Sequence, residues 1–392
     1  MKLNRKIIFV GSPIPESMIE DHHTMSFNTA DNIAQLGIVK GLYKYYGDDL
    51  TVITELSKSY GSHVNLGDGV EAIVVKSYDT NRILYYLSLM SSYTKILTTT
   101  IKAYDKSDEI VIVTRGSYIF IALPVFFVRV IRRVKWVPFI ITTVEVPEYK
   151  FPLSIISNMS IWTTKKADGI ITYVAKTAQD YIPGKPYVEV VYSISEKIIQ
   201  LYRSHIPKRP KRFTITYTGS LDDKYNTEAI VEAIKKTGRR YRWEFAGTGK
   251  DAENIQSLTK DKRYDVHYHG RISNIEVVRL QVNSHLLLCL RRHHDEVNEY
   301  YYKYAASAKL AEYLCSGVPV LASDAPANSE KINKFISLEK STEVNDIIKD
   351  IEMIENNYDS KVKLAKEGQQ FAFKHFTADY QNKNIYDFIE GL

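Results

Sequence analysis

The sequence predicts an α/β protein built from two doubly wound domains. At 392 residues, the chain is too long for one ordinary hydrophobic core, so two domains are expected. Short apolar runs alternate with amphipathic helical patterns almost from end to end, which is typical of parallel strands joined by crossover helices. The alternation breaks once, at a stretch of prolines and clustered cations, and then starts again. Two similar open sheets are therefore expected to follow one another along the chain.

The first half of the chain supplies the first predicted sheet. Its strands are short runs rich in β-branched and aromatic residues, and helical patterns separate most of them. The strand candidates are Ile7–Val10, Val52–Thr54, Ala72–Lys76, Ile110–Thr114, Trp136–Thr142, Gly169–Tyr173 and Val188–Tyr192. The first helical pattern runs through Ile33, Leu36, Val39, Leu42 and Tyr43. Residues 1–192 are therefore predicted to form an N-terminal domain.

The break in the alternation predicts the domain boundary. The stretch from Ile206 to Arg212 combines prolines with clustered lysines and arginines, which cannot join a core, so residues 193–212 are predicted to be a linker. The later strands are Phe213–Tyr217, Trp243–Ala246, Val266–His269, His285–Leu290 and Val318–Ala322, with helices around Ala229–Lys236, Ile275–Val282 and Ala306–Ser316. Residues 213–377 then form the C-terminal domain, and a last helix over 378–392 is expected to pack back on the first domain.

Composition narrows the class of protein. An apolar fraction of 44% and a charged fraction of 25% are those of a globular protein. The two cysteines, Cys289 and Cys315, cannot form a disulfide framework, which favours a reducing cytoplasm. No apolar stretch approaches the roughly 20 residues that a membrane span requires. With a net charge of only +6 and no zinc-finger spacing or aromatic RNA-binding motif, nucleic acid is not an expected partner.

Three loops in the second half have the composition of a nucleotide-binding edge, because ligands of doubly wound sheets bind just beyond the carboxyl ends of strands. Gly219-Ser220 follows one strand, and Gly247-Thr248-Gly249 follows the next. Glycine lets backbone amides approach a phosphate closely. Arg271 follows a third strand and offers a guanidinium fork to phosphate. Each loop also fits an ordinary turn or a solvated arginine, and the absent third glycine disfavours an NAD site.

The most specific pattern is a predicted helix that begins after Ser307. Ser307 is expected to be its N-cap, Leu310 lies on the face toward the sheet, and Gly317 is expected to end it. Lys309 and Glu312 share the opposite face. They form either a surface ion pair worth about 0.2–0.5 kcal/mol or a ligand site, with Lys309 and the helix N-terminus on a diphosphate and Glu312 on ribose hydroxyls.

The run from Ser307 to Ser323 resembles the C-terminal signature of the retaining GT-B glycosyltransferases, glycosyltransferase family 4 and its near relatives. That signature is Ser-x-Lys-Leu-x-Glu-Tyr followed by Gly-x-Pro-Val, and the three loops precede it in the family's order. The resemblance implies a GT-B fold of two Rossmann-like domains facing across a cleft, and sugar transfer with retention of configuration. The donor-binding residues it implies are Gly11, Ser12, Gly219, Ser220, Lys224, Tyr225, Gly247, Gly249, Arg271, Ser307, Lys309, Leu310 and Glu312.

Two positions depart from the family pattern. One large subgroup carries a first glutamate eight positions before the ribose-binding one, where this chain has Tyr304. An arginine of the usual diphosphate-binding pair is replaced by Ser220, with Lys224 and Tyr225 nearby as candidate substitutes. These departures keep open a non-catalytic partner subunit as an alternative.

The first domain supplies the candidate catalytic residues by the same resemblance. Arg115 ends one predicted strand, and Glu145 follows another where relatives often place an acidic residue or histidine. Glu148 is the runner-up to Glu145. A solvated loop carboxylate is the alternative interpretation of Glu145, since loop composition alone seldom identifies a catalytic group.

No metal or other cofactor is expected. The adjacent pairs His22-His23 and His293-His294 lack any recognised metal-ligand spacing, and no Asp-x-Asp triplet ends a strand. The segment from Phe126 to Trp136 mixes large apolar residues with Arg132, Arg133 and Lys135. It fits either a core-facing helix with a charged edge or peripheral attachment to an anionic membrane.

The expected activity is transfer of a sugar from a nucleotide diphosphate to a glycan or lipid-linked acceptor. The resemblance places it in cell-surface polysaccharide or glycoconjugate biosynthesis, in the cytoplasm or at the inner face of the cytoplasmic membrane. A sugar-nucleotide epimerase on the same fold is a second alternative, which would alter the nucleotide sugar without an acceptor.

Overall fold

The computed structural model describes the chain as two compact units. The residues it describes are all except 1–4, 19–28, 58–60, 78–81, 107, 117, 142–152, 209, 223–224 and 293–295. Unit 1 comprises Met1–Val190 with Asn382–Leu392, and unit 2 comprises Val191–Gln381. Each unit is built on a sheet of its own.

Unit 1 alternates strands and helices. Its described strands are β1 (Arg5–Gly11), β2 (Leu50–Ser57), β3 (His63–Asn65), β4 (Glu71–Ser77), β5 (Glu109–Arg115), β6 (Val134–Ile140), β7 (Ile170–Thr172) and β8 (Tyr187–Glu189). Its described helices are α1 (Thr29–Tyr46), α2 (Arg82–Ala103), α3 (Ile119–Ile131), α4 (Leu153–Thr164) and α5 (Ala175–Tyr181), with short 3₁₀ turns at Glu16–Met18 and Gly47–Asp49. The strands lie in the order β3-β4-β2-β1-β5-β6-β7-β8.

The order of strands in unit 1 creates a ligand-binding position. All neighbouring strands are parallel except β3, which runs antiparallel to β4. The chain moves from β1 toward one edge of the sheet and then returns to place β5 on the other side of β1. This reversal makes the carboxyl ends of β1 and β5 a topological switch point, where open α/β sheets bind their ligands. Gly11 and Arg115 are the last residues of these two strands.

Unit 2 repeats the same plan. Its elements are α6 (Glu196–Ser204), β9 (Thr214–Thr218), α7 (Thr227–Thr237), β10 (Arg242–Ala246), α8 (Ala252–Thr259), β11 (Val266–Tyr268), α9 (Asn274–Val282), β12 (Leu286–Cys289), α10 (Glu296–Tyr304), α11 (Ala308–Ser316), β13 (Val320–Ser323), α12 (Glu330–Asn333), β14 (Ser337–Glu339), α13 (Val344–Asn356), α14 (Tyr358–His375) and α15 (Ala378–Gly391), of which α15 from Asn382 onward belongs to unit 1. The sheet order is β11-β10-β9-β12-β13-β14, all parallel. Its switch point lies between β9 and β12.

Both faces of the unit 2 sheet are covered, as its apolar strands require. Successive residues of a strand point to opposite faces. Leu286 and Leu288 accordingly join a cluster with α7, α8 and α13, whereas Leu287 and Cys289 join a cluster with α6, α9 and α11. Because helices cover both faces of a parallel sheet, every residue of β12 is apolar and buried.

The predicted linker over 193–212 is largely part of unit 2. Helix α6 occupies Glu196–Ser204, and its Ile199 and Tyr202 are buried in the core. Ser195 caps the helix by accepting a hydrogen bond from the Ile198 amide. The prolines and cations that suggested a linker begin only after this helix, so they mark its end and not a linker of 20 residues. The amphipathic pattern of α6 was the overlooked signal.

The last eleven residues pack on unit 1 through several contacts. Tyr386 stacks on Tyr45 with ring centroids 4.5 Å apart. Tyr46 donates a hydrogen bond of 2.9 Å to the Glu390 carboxylate, and Lys135 donates one of 2.7 Å to the Leu392 carbonyl. The chain therefore crosses from unit 2 back to unit 1 inside α15.

Two details of the predicted elements differ from the structure. The helical pattern of α1 buries Leu36, Val39 and Leu42, but Ile33 is 59% exposed and does not belong to the buried face. Strands β3 and β14 were not predicted. Each has three residues of which only one is apolar, so no apolar run marks it in the sequence.

Candidate functional site

Three glycine loops meet at the carboxyl edge of the unit 2 sheet. The Gly219 amide donates to the Ala246 carbonyl at 2.8 Å, and the Gly247 amide donates to the Gly270 carbonyl at 2.7 Å. Gly219, Gly247 and Gly249 all have positive φ, of 126°, 142° and 157°. A Cβ on Gly247 would lie 1.8 Å from the Gly219 carbonyl oxygen. Only glycine allows these loops to pack so closely, and the packing brings Gly219, Gly247 and Gly249 together at this edge.

Helix α11 brings a cation to the same edge. Lys309 lies in its first turn, with Nζ 3.8 Å from the ring centroid of Tyr217 and 4.4 Å from that of Tyr225. A Cβ on Gly219 would lie 2.9 Å from Lys309 Cε, so the ammonium group lies directly over the glycine loop. Lys309 therefore combines a positive charge, a helix N-terminus and glycine backbone at the switch point of the sheet.

Glu312 lies one turn further along α11. Burial raises the pKa of its carboxyl above the ordinary value, and the positive charge of Lys309 partly offsets that effect. Among the described residues, no side chain or amide is hydrogen-bonded to this carboxylate. A half-buried acceptor without a protein donor suits a ligand hydroxyl.

A buried hydrogen-bond network holds the end of β9 in place. The Thr218 amide donates to Tyr313 Oη at 2.9 Å, and Gln281 Nε2 donates to Thr218 Oγ1 at 2.9 Å. Tyr202 Oη donates to Gln281 Oε1 at 2.5 Å. Sequence reasoning missed these supports, because Tyr313 and Gln281 are distinguished there only by their place on the buried faces of helices.

The remaining unit 2 candidates have mixed outcomes. Leu310 is buried against the sheet, and Gly317 ends α11 with φ of 65°, both as predicted. Ser307 occupies the N-cap position, but its side chain makes no capping hydrogen bond and its Oγ lies 3.5 Å from Cys289 Sγ. Ser220 donates its hydroxyl to Asp222. Arg271 is exposed after β11, as a phosphate-binding or a solvated arginine would be.

In unit 1, Arg115 is already engaged by neighbours at the switch point. It forms an ion pair with Asp31 in the first turn of α1 and donates a 3.1 Å hydrogen bond to Ser12 Oγ. The Ser12 amide in turn donates to Gln35 Oε1 at 2.9 Å. Burial acts to lower the pKa of Arg115, and the Asp31 carboxylate outweighs it, so the pKa is raised. The sequence placed Gly11, Ser12 and Arg115 here but contained no signal for their partner Asp31.

Several predicted residues lie outside the described residues. These are Glu145, Glu148, Lys224, and the histidine pairs His22-His23 and His293-His294. Across the part of the chain that is described, no group of three or more His, Cys, Asp or Glu residues is placed to hold a metal ion. The expectation of metal-independent chemistry stays a prediction.

The basic segment considered for membrane attachment does not present all of its cations to solvent, because two of them bind other residues of unit 1. Arg132 donates to the carbonyls of Ile101 and Tyr104 at the end of α2, and Lys135 pairs with Glu109. These two cations therefore hold unit 1 together. On α3 itself, Phe127, Val130 and Ile131 are 55%, 88% and 47% exposed. No described helix has both the length and the apolar character needed to cross a membrane.

The geometry of unit 2 agrees with a known family. Residues 199–371 match the family model described as glycosyl transferases group 1. The match begins within α6 and extends through most of α14, and it includes all three glycine loops and Lys309. The chain is a glycosyltransferase. No curated protein sequence matches the chain.

The whole chain of this glycosyltransferase has the GT-B fold. HepE from Anabaena, solved in complex with UDP, matches with a TM-score of 0.65 at 14% identity, over 99% of this chain and 100% of that one. A glycosyltransferase from Rickettsia africae matches with a TM-score of 0.66 at 12% identity, over 99% and 98%. The lipopolysaccharide outer core galactosyltransferase WaaB in its apo form matches with a TM-score of 0.65 at 13% identity, over 98% and 99%. The predicted fold class is thereby confirmed.

Proposed function

We propose that this glycosyltransferase moves a sugar from a nucleotide diphosphate to a glycan or lipid-linked acceptor, with retention of anomeric configuration, in cell-surface polysaccharide or glycoconjugate biosynthesis. The observation that carries the donor assignment is the position of Lys309 over the Gly219 loop, with its Nζ 3.8 Å from the Tyr217 ring. A cation held against a glycine loop at the carboxyl edge of a parallel sheet supports a diphosphate as the ligand.

The donor is held by groups that differ in chemistry along α11. Lys309 and the amides of the first turn face the diphosphate, whose charge the helix dipole also favours. Glu312, one turn later, accepts hydrogen bonds from the ribose hydroxyls. The loops at Gly247 and Gly249 pack flat against the base or ribose. Glu312 is thus assigned to binding and not to proton transfer.

The reaction breaks the bond between the sugar anomeric carbon and the diphosphate oxygen, which keeps the electron pair. A hydroxyl oxygen of the acceptor forms the new bond to that carbon, and its proton passes to the leaving diphosphate. As the bond breaks, negative charge accumulates on the leaving diphosphate, and the ammonium group of Lys309 stabilises that charge. Lys309 therefore acts most strongly in the transition state.

Nucleotide binding tests the donor assignment. Thermal unfolding of the wild type is measured with UDP, GDP, dTDP and CMP, starting with UDP because the Anabaena protein was solved with it. One nucleotide at 100 times its Kd is expected to stabilise the chain by about 2.7 kcal/mol. Glu312→Ala is expected to lose that shift, whereas Glu367→Ala, an exposed carboxylate on α14, keeps it.

If no nucleotide shifts the unfolding temperature, the proposed donor site is wrong. That result would favour the alternative that the chain is a non-catalytic partner subunit. Where a nucleotide binds, its sugar conjugates are supplied with candidate acceptors, and the coupling of the product's anomeric proton is read by NMR. The donor configuration is expected in the product. Inversion would overturn retention, and conversion of the donor without an acceptor would favour an epimerase.

We also propose that α3 contacts the surface of an anionic membrane. Its exposed Phe127, Val130 and Ile131 supply apolar contact area, and Arg133 beyond its end supplies an exposed cation. Vesicles of phosphatidylcholine with phosphatidylglycerol are expected to sediment the wild type and to release Val130→Glu. Ile275→Glu, at a 43% exposed position of α9, is the control. Equal sedimentation of all three proteins contradicts this contact.

A further inference from the structure

A buried arginine lies at the carboxyl end of β12 in unit 2. Strand β12 ends at Cys289, and Arg291 follows shortly after it with only 7% of its surface exposed. The Arg291 amide donates a 2.8 Å hydrogen bond to Ser323 Oγ at the end of β13, which fixes the backbone here. Ligands of parallel sheets bind just beyond these strand ends. Arg291 therefore belongs to the same carboxyl edge of the sheet as the Gly219 loop.

The protein uses only one nitrogen of the Arg291 guanidinium group. Nη1 donates to the Tyr301 carbonyl at 3.0 Å and to the Ala305 carbonyl, both at the end of α10, and these two bonds use both of its hydrogens. Nε and Nη2 make no hydrogen bond to any residue that the structure describes. These two nitrogens form the edge of a guanidinium group that binds a carboxylate through two parallel hydrogen bonds. The edge of Arg291 suited to a carboxylate is therefore left to a ligand.

The surroundings of Arg291 contain tyrosines in place of a counterion. Burial raises the pKa of both Tyr225 and Tyr302, and the positive charge of Arg291 partly offsets that effect. Asp222 and Asp324 act on the same two phenols, but no carboxylate in the described part of the chain forms an ion pair with Arg291. The carbonyls at the end of α10 supply only partial negative charge. Because an unpaired buried charge is costly, this position suits a ligand that brings a negative charge with it.

The order of the strands indicates which part of the proposed donor lies toward Arg291. Strands β10, β9 and β12 lie side by side in that order. The nucleoside is assigned to the Gly247 and Gly249 loops after β10, and the diphosphate to the Gly219 loop after β9. The next strand end in the same direction is that of β12, where Arg291 lies. Since the sugar is bonded to the end of the diphosphate that is away from the nucleoside, the sugar lies on the Arg291 side.

We propose that the transferred sugar carries a carboxylate, as a uronic acid does, and that Nε and Nη2 of Arg291 bind this carboxylate through two charge-assisted hydrogen bonds. This inference rests on the proposed function and deepens it by naming the class of sugar. A neutral hexose has a hydroxymethyl group where a hexuronic acid has its carboxylate, and that group leaves the charge of the guanidinium unpaired. Arg291 is thus assigned to donor specificity, whereas the diphosphate stays with Lys309.

Matched pairs of nucleotide sugars test this assignment by calorimetric titration of the full chain. UDP-glucose is compared with UDP-glucuronate, UDP-galactose with UDP-galacturonate, and GDP-mannose with GDP-mannuronate, so that each pair differs only at C6 of the sugar. In at least one pair, the Kd of the uronate is expected to be lower by about tenfold or more, as for hydrogen bonds between charged groups. Arg291→Gln is expected to remove this difference without changing the Kd of the free nucleoside diphosphate. Arg239→Gln is the matched control, because Arg239 is an exposed arginine that also donates to a carbonyl, that of Lys262.

Equal affinity of the wild type for both members of every pair overturns the uronate assignment, and this comparison holds even if Arg291→Gln fails to fold. A preference that persists in Arg291→Gln shows that another residue reads the sugar. An equal loss of affinity for free UDP, the neutral conjugate and the uronate also overturns it, because Arg291 would then act on the diphosphate or only on α10. Binding of UDP or GDP without discrimination rejects the uronate alone, whereas no binding of any nucleotide rejects the donor assignment as well.

Discussion

Gly247→Ala is expected to destabilise unit 2 by about 4 kcal/mol, one of the larger effects a single substitution can have. The added Cβ would lie 1.8 Å from the Gly219 carbonyl oxygen and 2.7 Å from its carbonyl carbon. Both are backbone atoms, so no side chain can move aside to relieve the contact. The φ of 142° adds strain, because it is a conformation that residues with a Cβ rarely adopt. The loops must separate for the variant to fold.

Hydrogen exchange of the full chain measures this effect, followed in peptides from β9 and β10. Gly270→Ala is the matched control, because Gly270 also has positive φ, of 64°, but a Cβ there meets nothing within 4 Å. It is expected to cost about 1–2 kcal/mol, the ordinary penalty for a left-handed residue with a side chain. Equal losses of protection in the two variants would contradict the close packing of the Gly219 and Gly247 loops.

Lys309→Met is expected to lower kcat by roughly 10²–10³-fold, the range found when a preorganised group that stabilises transition-state charge is removed. Methionine keeps the length of the side chain and its packing on Tyr217 and Tyr225 but removes the charge. The ammonium group contacts the rings of Tyr217 and Tyr225, so removing its charge is expected to lower the stability of the ligand-free protein by no more than about 2 kcal/mol. A large loss of activity with at most this small loss of stability is the sign of a residue that acts on the donor.

The measurement is release of the nucleoside diphosphate under saturating donor and acceptor, together with thermal unfolding without ligand. Lys235→Met serves as the control, since Lys235 lies on α7 in an exposed pair with Glu232. An unchanged kcat in Lys309→Met would remove the assigned role. A large drop in ligand-free stability would instead make Lys309 a structural residue of the β9 edge.

Much of the proposed donor site could be predicted because its residues follow strands or share one helix face. Gly219 and Gly247 each come directly after a run of apolar residues, and strands that run parallel end at the same edge. Lys309 and Glu312 are three residues apart, so the period of a helix alone places them together. These relations are local, and the sequence expresses them without knowledge of the fold.

The first unit was harder to predict because residues from distant segments meet at its switch point. Arg115 was recognised from its place after a strand, but its partner Asp31 lies at the start of α1, and Glu55, whose carboxyl group Arg115 also influences, belongs to β2. Nothing in the local pattern of either carboxylate distinguishes it from a solvated one. The stack of Tyr118 on Phe120 and Tyr86 likewise depends on how α2 packs beside α3.

The sequence by itself determined the two sheets, most of their strands, and the edge at which the residues of the proposed donor site lie. It could do so because apolar periodicity and glycine placement are properties of neighbouring residues. The tertiary structure alone decided that α6 belongs to the core of unit 2, that Tyr313 and Gln281 brace the end of β9, and that Arg115 pairs with Asp31 in unit 1. Each of these depends on contacts between segments far apart in the chain, whose pairing is set by the packing of whole helices and strands.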